Sequence, residues 1–221
     1  MNKHFPSIRR YDVVAGLYIF GVVVAELMGA KTFPLFTLGQ QHFNASVAIF
    51  VLPLLYSLTD VVVEVHGKAR ARSLVYTGII VIALLVAYAA LATSLPPTAR
   101  SAANEPAYDQ VFHASIRISL ASLTAFAVAE LLDIAVFSKL RERLGKSKLW
   151  LRNNASNFLS FFVDSAVFLT LAFYALHRPF GENLVFLWGL LLPYWLLKCA
   201  MSVVATPLVY AGVRWLRASK E

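Results

Sequence analysis

The stretch "YSLTDVVVEVHGKARAR", residues 56–72, decides how the chain is read. An apolar run carries two acids, Asp60 and Glu64, stops at Gly67, and passes at once into Lys68, Arg70 and Arg72. Basic residues crowded behind an apolar run mark the end of a membrane span, because Lys and Arg in short loops hold that loop on the cytoplasmic side. Carboxylates inside such a run are costly, and each implies a partner or a task.

Outward from this stretch, apolar runs long enough to cross a bilayer, which takes about 20 residues, fall at 11–30, 44–65, 73–95, 112–137, 153–176 and 184–213. None alternates apolar and polar positions over ten residues as a transmembrane strand would. The expected fold is an all-α integral membrane protein of six transmembrane helices, forming one unit over residues 1–221. Composition agrees: 59% of residues are hydrophobic and 14% charged, against roughly 25% charged in a soluble domain.

The basic residues then orient the chain. Lys3, Arg9 and Arg10 precede the first span, and Lys68, Arg70 and Arg72 follow the second. Lys139, Arg141, Arg143, Lys146, Lys148 and Arg152 join the fourth to the fifth, and Arg214, Arg217 and Lys220 follow the sixth. The opposite loops hold only Lys31, Arg100 and Arg178. Both the N and the C terminus are therefore expected in the cytoplasm. The net charge of +8 sits where topology and anionic lipid head groups want it, so no nucleic-acid binding is read from it. Cys199 is the single cysteine, which excludes an internal disulfide and a cysteine-based zinc cluster. No Walker A pattern occurs, so ATP hydrolysis by a P-loop is excluded. No cofactor and no metal site is expected.

Six acids fall inside the spans, Glu26, Asp60, Glu64, Glu130, Asp133 and Asp164, together with Arg117 and Lys198. Asp60 and Glu64 are four apart and Glu130 and Asp133 three apart, so each pair shares one helix face. Both pairs lie near helix C-terminal ends, where the dipole disfavours a carboxylate. Compensation is expected from Lys68, Arg70 and Arg72, turned back at Gly67, from Arg152, and from free N–H groups in the amide-rich "RNNASN" opening the fifth span. The expectation is a cytoplasm-side ionic network of Asp60, Glu64, Arg70, Glu130, Asp133 and Arg152. Glu64 and Asp133 also suit plain solvation at the interface.

Asp164, in "FFVDSAVFLTLAF", stands mid-span and either keeps its proton or meets a cation, for which Lys198 has the right depth. Glu26 and Arg117, near Gln40 and Asn44, suggest a polar mouth at the outer side. Pro53, Pro193 and Pro207 each free a helical carbonyl, and Trp188, Tyr194 and Trp195 around Pro193 offer faces that could stack a flat ring. An aromatic belt at the interface also explains Trp188.

The blocks "TDVVVEVHGKARAR", "AELLDIAVFSKLRERLG", "WLRNNASNFLSFFVDSAVFLTLAF" and "TPLVY" together resemble the queuosine precursor transporters, a bacterial inner-membrane family also described as vitamin uptake transporters. The resemblance implies a multi-pass protein of the bacterial inner (cytoplasmic) membrane that takes up 7-cyano- or 7-aminomethyl-7-deazaguanine for queuosine modification of tRNA. By that resemblance Asp60, Glu64, Gly67, Arg70, Glu130, Asp133, Arg152 and Asp164 match the family's motif positions. The first span departs from the pattern, with Glu26 where an Asn is expected.

A substrate-binding set of Glu26, Gln40, Asn44, Arg117, Asp164, Trp188, Trp195 and Lys198 follows from the chemistry. A carboxylate accepts the paired N–H donors of such a base or its aminomethyl cation, and aromatic faces stack its ring. The expected partners are the small-molecule base and membrane lipid, and a homodimer is one way for six short-looped helices to bury polar surface. The reading is a non-enzymatic secondary transporter or facilitator. Two other classes stay open: a substrate-binding subunit driven by a separate ATPase, and an intramembrane enzyme using the carboxylates of the second and fourth spans to hold a metal.

Overall fold

The structure, a computed structural model, describes residues 9–29, 31–38, 41–112, 116–145 and 147–218. Helix α1 covers Arg10–Met28 and is followed by strands β1 (Thr32–Leu38) and β2 (Gln41–Ser46) and a 3-10 turn at Val47–Phe50. Then come α2 (Leu52–His66), α3 (Lys68–Ser94), α4 (Glu105–Phe112), α5 (Ile116–Leu144), α6 (Leu149–Phe173) and α7 (Phe180–Arg217). Six of these segments are long and apolar enough to cross a membrane. They are α1, the 3-10 turn with α2, α3, α5, α6 and α7.

Local chemistry explains the boundaries. Gly67 takes φ 86° and ψ 168°, a region open essentially to glycine alone, and there α2 stops and α3 begins. The Leu95-Pro96-Pro97 run ends α3, since a residue before proline is pushed out of the helical region. Gly145, at φ 63°, follows α5 in the left-handed place that glycine favours after a helix. With 38 residues, α7 is about 57 Å long, well beyond a hydrocarbon core of about 30 Å.

Three expectations need correction. The second span does not start at residue 44: residues Gln41–Ser46 form a strand antiparallel to Thr32–Leu38. The pairing slips between Pro34 and Phe36, as expected where a proline has no N–H to give the ladder. Ser46 caps the turn, its Oγ accepting from Ala48 N at 3.1 Å and donating to Gly29 O at 2.5 Å, so the hairpin is tied to the end of α1. Pro53 does not break α2. It stands in the first turn, where no intrahelical bond is lost. Finally, α6 starts at Leu149 rather than 153, so the "RNNASN" residues lie inside the helix and do not present its free N-terminal N–H groups. The long connection after α3 also contains a helix, α4, with no buried residue.

The helices run up and down. Arg10 Nη1 donates to Trp215 O at 2.5 Å, and Trp150 N donates to the Tyr210 hydroxyl at 3.1 Å. The start of α1, the start of α6 and the last turns of α7 thus share one end, here called the termini end. The hairpin lies at the other. Short α2 is the central element, packed against α1, α3, α5, α6 and α7, and its Leu55, Val61, Val62 and Val63 are buried in a core with Tyr18, Val75, Ile134, Phe137 and Val213.

Candidate functional site

A cavity of about 240 Å³ opens in the hairpin half. Each helix brings residues at helical spacing: Val22, Ala25, Glu26 and Gly29 from α1, Ile118, Ser122 and Ala125 from α5, Asp164 and Phe168 from α6, Tyr194 and Lys198 from α7. Ser46 and Ala48 close it from the hairpin side, and Leu52, Leu55, Ile82 and Phe126 complete the wall. Lys198 Nζ donates to Asp164 Oδ2 at 2.7 Å and to Ser165 Oγ at 3.1 Å, and lies 4.9 Å from the Tyr194 ring centre. Glu26 Oε2 accepts from Ser122 Oγ at 2.8 Å. Among the described residues the cavity holds two carboxylates and one ammonium. The Asp164 charge is met by Lys198, while Glu26 has only a hydroxyl.

Of the residues proposed for binding, Glu26, Asp164 and Lys198 meet on this cavity. Trp188 and Trp195 do not line it: Trp195 Nε1 donates to Phe158 O at 2.8 Å, and Phe162 packs against both indoles. Gln40 and the side chains of Asn44 and Arg117 lie outside the described residues. Sequence reasoning passed over Ser122, Phe126 and Phe168 and treated Tyr194 as one aromatic among three. Tyr194 was legible, being four residues before Lys198 and so on its face.

Below the cavity sits an apolar septum of Tyr56, Ala129, Phe161 and Cys199. The Tyr56 and Phe161 rings meet edge to face with centres 4.8 Å apart. Beyond it, towards the termini end, lies a polar centre in which Asp60, Glu130, Asp133, Arg152 and Asn153 are each 0% exposed. The helices pass from cavity through septum to polar centre within two turns, about 11 Å.

Glu64 gathers the cations of this end. Arg217 Nη2 reaches Glu64 Oε1 at 2.7 Å, while Arg141 Nε and Arg152 Nη2 each lie 3.2 Å from Oε2. Arg141 also donates to the carbonyls of Val63 and Glu64 at 3.0 and 2.9 Å, neutralising the C-terminal end of α2 where unpaired carbonyls gather. Arg152 Nη1 holds Gly145 O at 2.7 Å. Arg70, expected opposite the carboxylates, instead lies over the Tyr11 ring at 4.6 Å. Lys68 and Arg72 are exposed, because Gly67 sends α3 away from Glu64 instead of folding its first turn back. Arg141 and Arg217 take the place intended for them.

Asp60 and Asp133 face one another, Asp133 Oδ1 accepts from Ser160 Oγ at 3.3 Å, and Arg152 faces Asp60 from α6. A ladder of amides and hydroxyls joins α6 to α7. Asn154 Nδ2 donates to Thr206 Oγ1 at 2.8 Å, Asn157 Nδ2 to Ser202 Oγ at 2.8 Å, and Ser202 Oγ to Asn154 Oδ1 at 3.2 Å.

The family model described as "Putative vitamin uptake transporter" matches residues 46–212. Among curated proteins, the "Probable queuosine precursor transporter" of Bacillus subtilis (strain 168) is 28% identical over 205 residues, 91% of this chain and 85% of that protein. The "Queuosine precursor transporter" of Escherichia coli (strain K12) is 26% identical over 171 residues, 77% of this chain and 73% of that protein. The "Probable queuosine precursor transporter" of Haemophilus influenzae (strain ATCC 51907 / DSM 11121 / KW20 / Rd) is 26% identical over 141 residues, 62% of this chain and 56% of that protein. No solved structure matches the chain. With six apolar helices and a family match that runs from the end of the hairpin into the last turns of α7, this chain belongs to the vitamin uptake transporter family.

Proposed function

We propose that the protein carries queuosine precursors, 7-cyano- or 7-aminomethyl-7-deazaguanine, into the cell across the bacterial inner membrane. It does so as a single unit of residues 1–221, without chemical conversion of the base, and with its termini in the cytoplasm. The observation that carries this reading is the cavity on which Glu26, the Asp164–Lys198 pair and Tyr194 converge. At about 240 Å³ it stands at the small end of small-molecule sites, suited to one bicyclic base. A carboxylate accepts the adjacent ring and amino N–H donors of a guanine-like edge, the ammonium donates to its carbonyl, and the Tyr194, Phe126 and Phe168 rings face its plane.

The septum and the ionic centre at the termini end form the inner gate in this reading. Asp60, Glu64, Glu130, Asp133 and Arg152 are its members, joined by Arg141 and Arg217, with Arg70 outside it. The test is uptake of both labelled bases by cells unable to synthesise them, with and without the protein and with Asp164→Asn. Protein-dependent uptake that falls at least tenfold in the variant is expected. No uptake by a correctly inserted wild-type chain overturns the reading, and rescue by co-expressed ATPase subunits assigns it to an ATPase-driven system instead.

A further inference from the structure

Within the inner gate, three carboxyls stand outside the ion pairs that hold it together. Asp60, Glu130 and Asp133 are fully buried, yet among the described residues both carboxyl oxygens of Asp60 and Glu130 and Oδ2 of Asp133 lack a hydrogen-bond donor in good geometry, with only the Thr59 hydroxyl beside Glu130 and the Ser156 hydroxyl beside Asp133. Arg152 stands near Asp60, but among the described residues no cation is paired with any of the three. The guanidinium groups of Arg141, Arg152 and Arg217 converge on Glu64, and Lys198 is spent on Asp164. Two facing buried carboxyls with no dedicated cation among the described residues repel as anions, and the arrangement becomes stable when they share a proton.

A second, independent feature points to the same occupant. Tyr18 from α1 and Tyr56 from α2 are buried, among the described residues neither hydroxyl has a hydrogen-bond partner, and both lie within electrostatic reach of Glu130 and Asp133. On α2 Tyr56 stands one turn before Asp60, and its ring packs on Phe161, three residues before Asp164 on α6. Tyr56 is thus the hydroxyl-bearing residue of the layer that separates the Asp164 cavity from the buried acids, the place where a proton relay between them needs one. Asn153, buried with both amide atoms unpartnered, lies on α6 three and seven residues before Ser156 and Ser160, on the face that meets Asp133.

The other charged groups around the acids are already occupied. On α7 Arg217 is paired with Glu64, and at the start of α3 Lys68, Arg70 and Arg72 are exposed. At the end of α2 the His66 ring packs on Tyr11 at 5.2 Å.

We propose that Asp60, Glu130 and Asp133 form a proton-binding site, reached from the cavity through the Tyr56 hydroxyl, that couples base uptake to proton entry. One carboxylate gains the proton on the cavity side of the cycle and returns it, unchanged, to the termini side. The inference rests on the carrier reading, so two measurements are needed.

The first uses the purified protein without any base: an infrared pH titration of the carboxylic-acid carbonyl band in wild type, Asp60→Asn and Asp133→Asn. A band present near neutral pH and diminished in either variant is expected, and a wild type without the band overturns the site. The second uses proteoliposomes with a trapped pH indicator and the labelled bases. The expected result is acidification of the lumen during uptake. Tyr56→Phe, which keeps every charge, should lower the number of protons moved per base taken up at least threefold, and a ratio equal to that of wild type removes Tyr56 from the proton path. Base movement with no proton movement overturns the coupling and leaves the carrier reading intact. If the band is present and the wild type moves no base, the proton site stands and the carrier reading falls.

Discussion

A carboxylate at the C-terminal end of a helix meets the negative end of its dipole, and Glu64 tolerates that place because guanidinium groups from α5, α6 and α7 reach it. Arg141 was readable: it lies eight residues after Asp133, on the same face of α5. Arg217 was not, because a basic residue near the end of a last span looks like an ordinary topological anchor. The Asp164–Lys198 pair could be foreseen from matching depth alone. Removing one partner of a buried pair costs about 3–5 kcal/mol, whereas replacing both by apolar groups costs little. Lys198→Met should therefore lower the melting temperature markedly, and Lys198→Met with Asp164→Leu should recover most of it while transport stays lost. Thermal unfolding in detergent, read beside uptake, checks both. Glu26 makes a separate prediction, since among the described residues its partner is the Ser122 hydroxyl. A hydrogen bond to a charged group contributes about 1.5–3 kcal/mol, and about 1.4 kcal/mol is tenfold. Glu26→Gln should shift preference from the aminomethyl towards the cyano base by roughly tenfold or more in competition uptake, and an unchanged ratio would remove Glu26 from recognition.

At the scale of elements, the turn between α2 and α3 separates the acids of α2 from the basic residues that follow them in sequence. Gly67 at φ 86° and ψ 168° has open space around a notional Cβ, so backbone conformation alone forbids a side chain. Gly67→Ala should cost about 1–3 kcal/mol, seen as a lower melting temperature with no change in base preference; an unaffected melting temperature would mean that the turn relaxes freely. The six spans were legible because bilayer thickness imposes a length that composition satisfies. The hairpin was not. Residues 44–65 read as one apolar run, and nothing in that run reveals that residues 41–46 pair with 32–38, a contact made across the chain and not along it. The outer aromatics were misread for a related reason. One residue on a helix is a 100° rotation, which puts Tyr194 on the cavity and turns Trp195 to Phe158.

Across the whole molecule, the cavity and the ionic centre lie on opposite sides of one thin apolar layer, and a route between them has to part Tyr56 from Phe161. The chain carries its own reporter there. Cys199, the single cysteine, is buried in the septum with Tyr56, Ala129 and Phe161 and follows Lys198 directly. While the septum is closed, as in this structure, Cys199 is 8% exposed, and a small polar thiol reagent reaches the sulfur slowly. A base crossing the layer forces it open in each cycle, so Cys199 should be modified several-fold faster in proteoliposomes carrying out base exchange than in base-free ones. Cys199→Ala supplies the labelling blank. Phe161→Ala, which thins the layer from one side, should raise the base-free labelling rate towards the exchange rate. Equal labelling with and without exchange, in preparations where exchange itself is measured, would route the base around the septum and detach the cavity from the ionic centre below it.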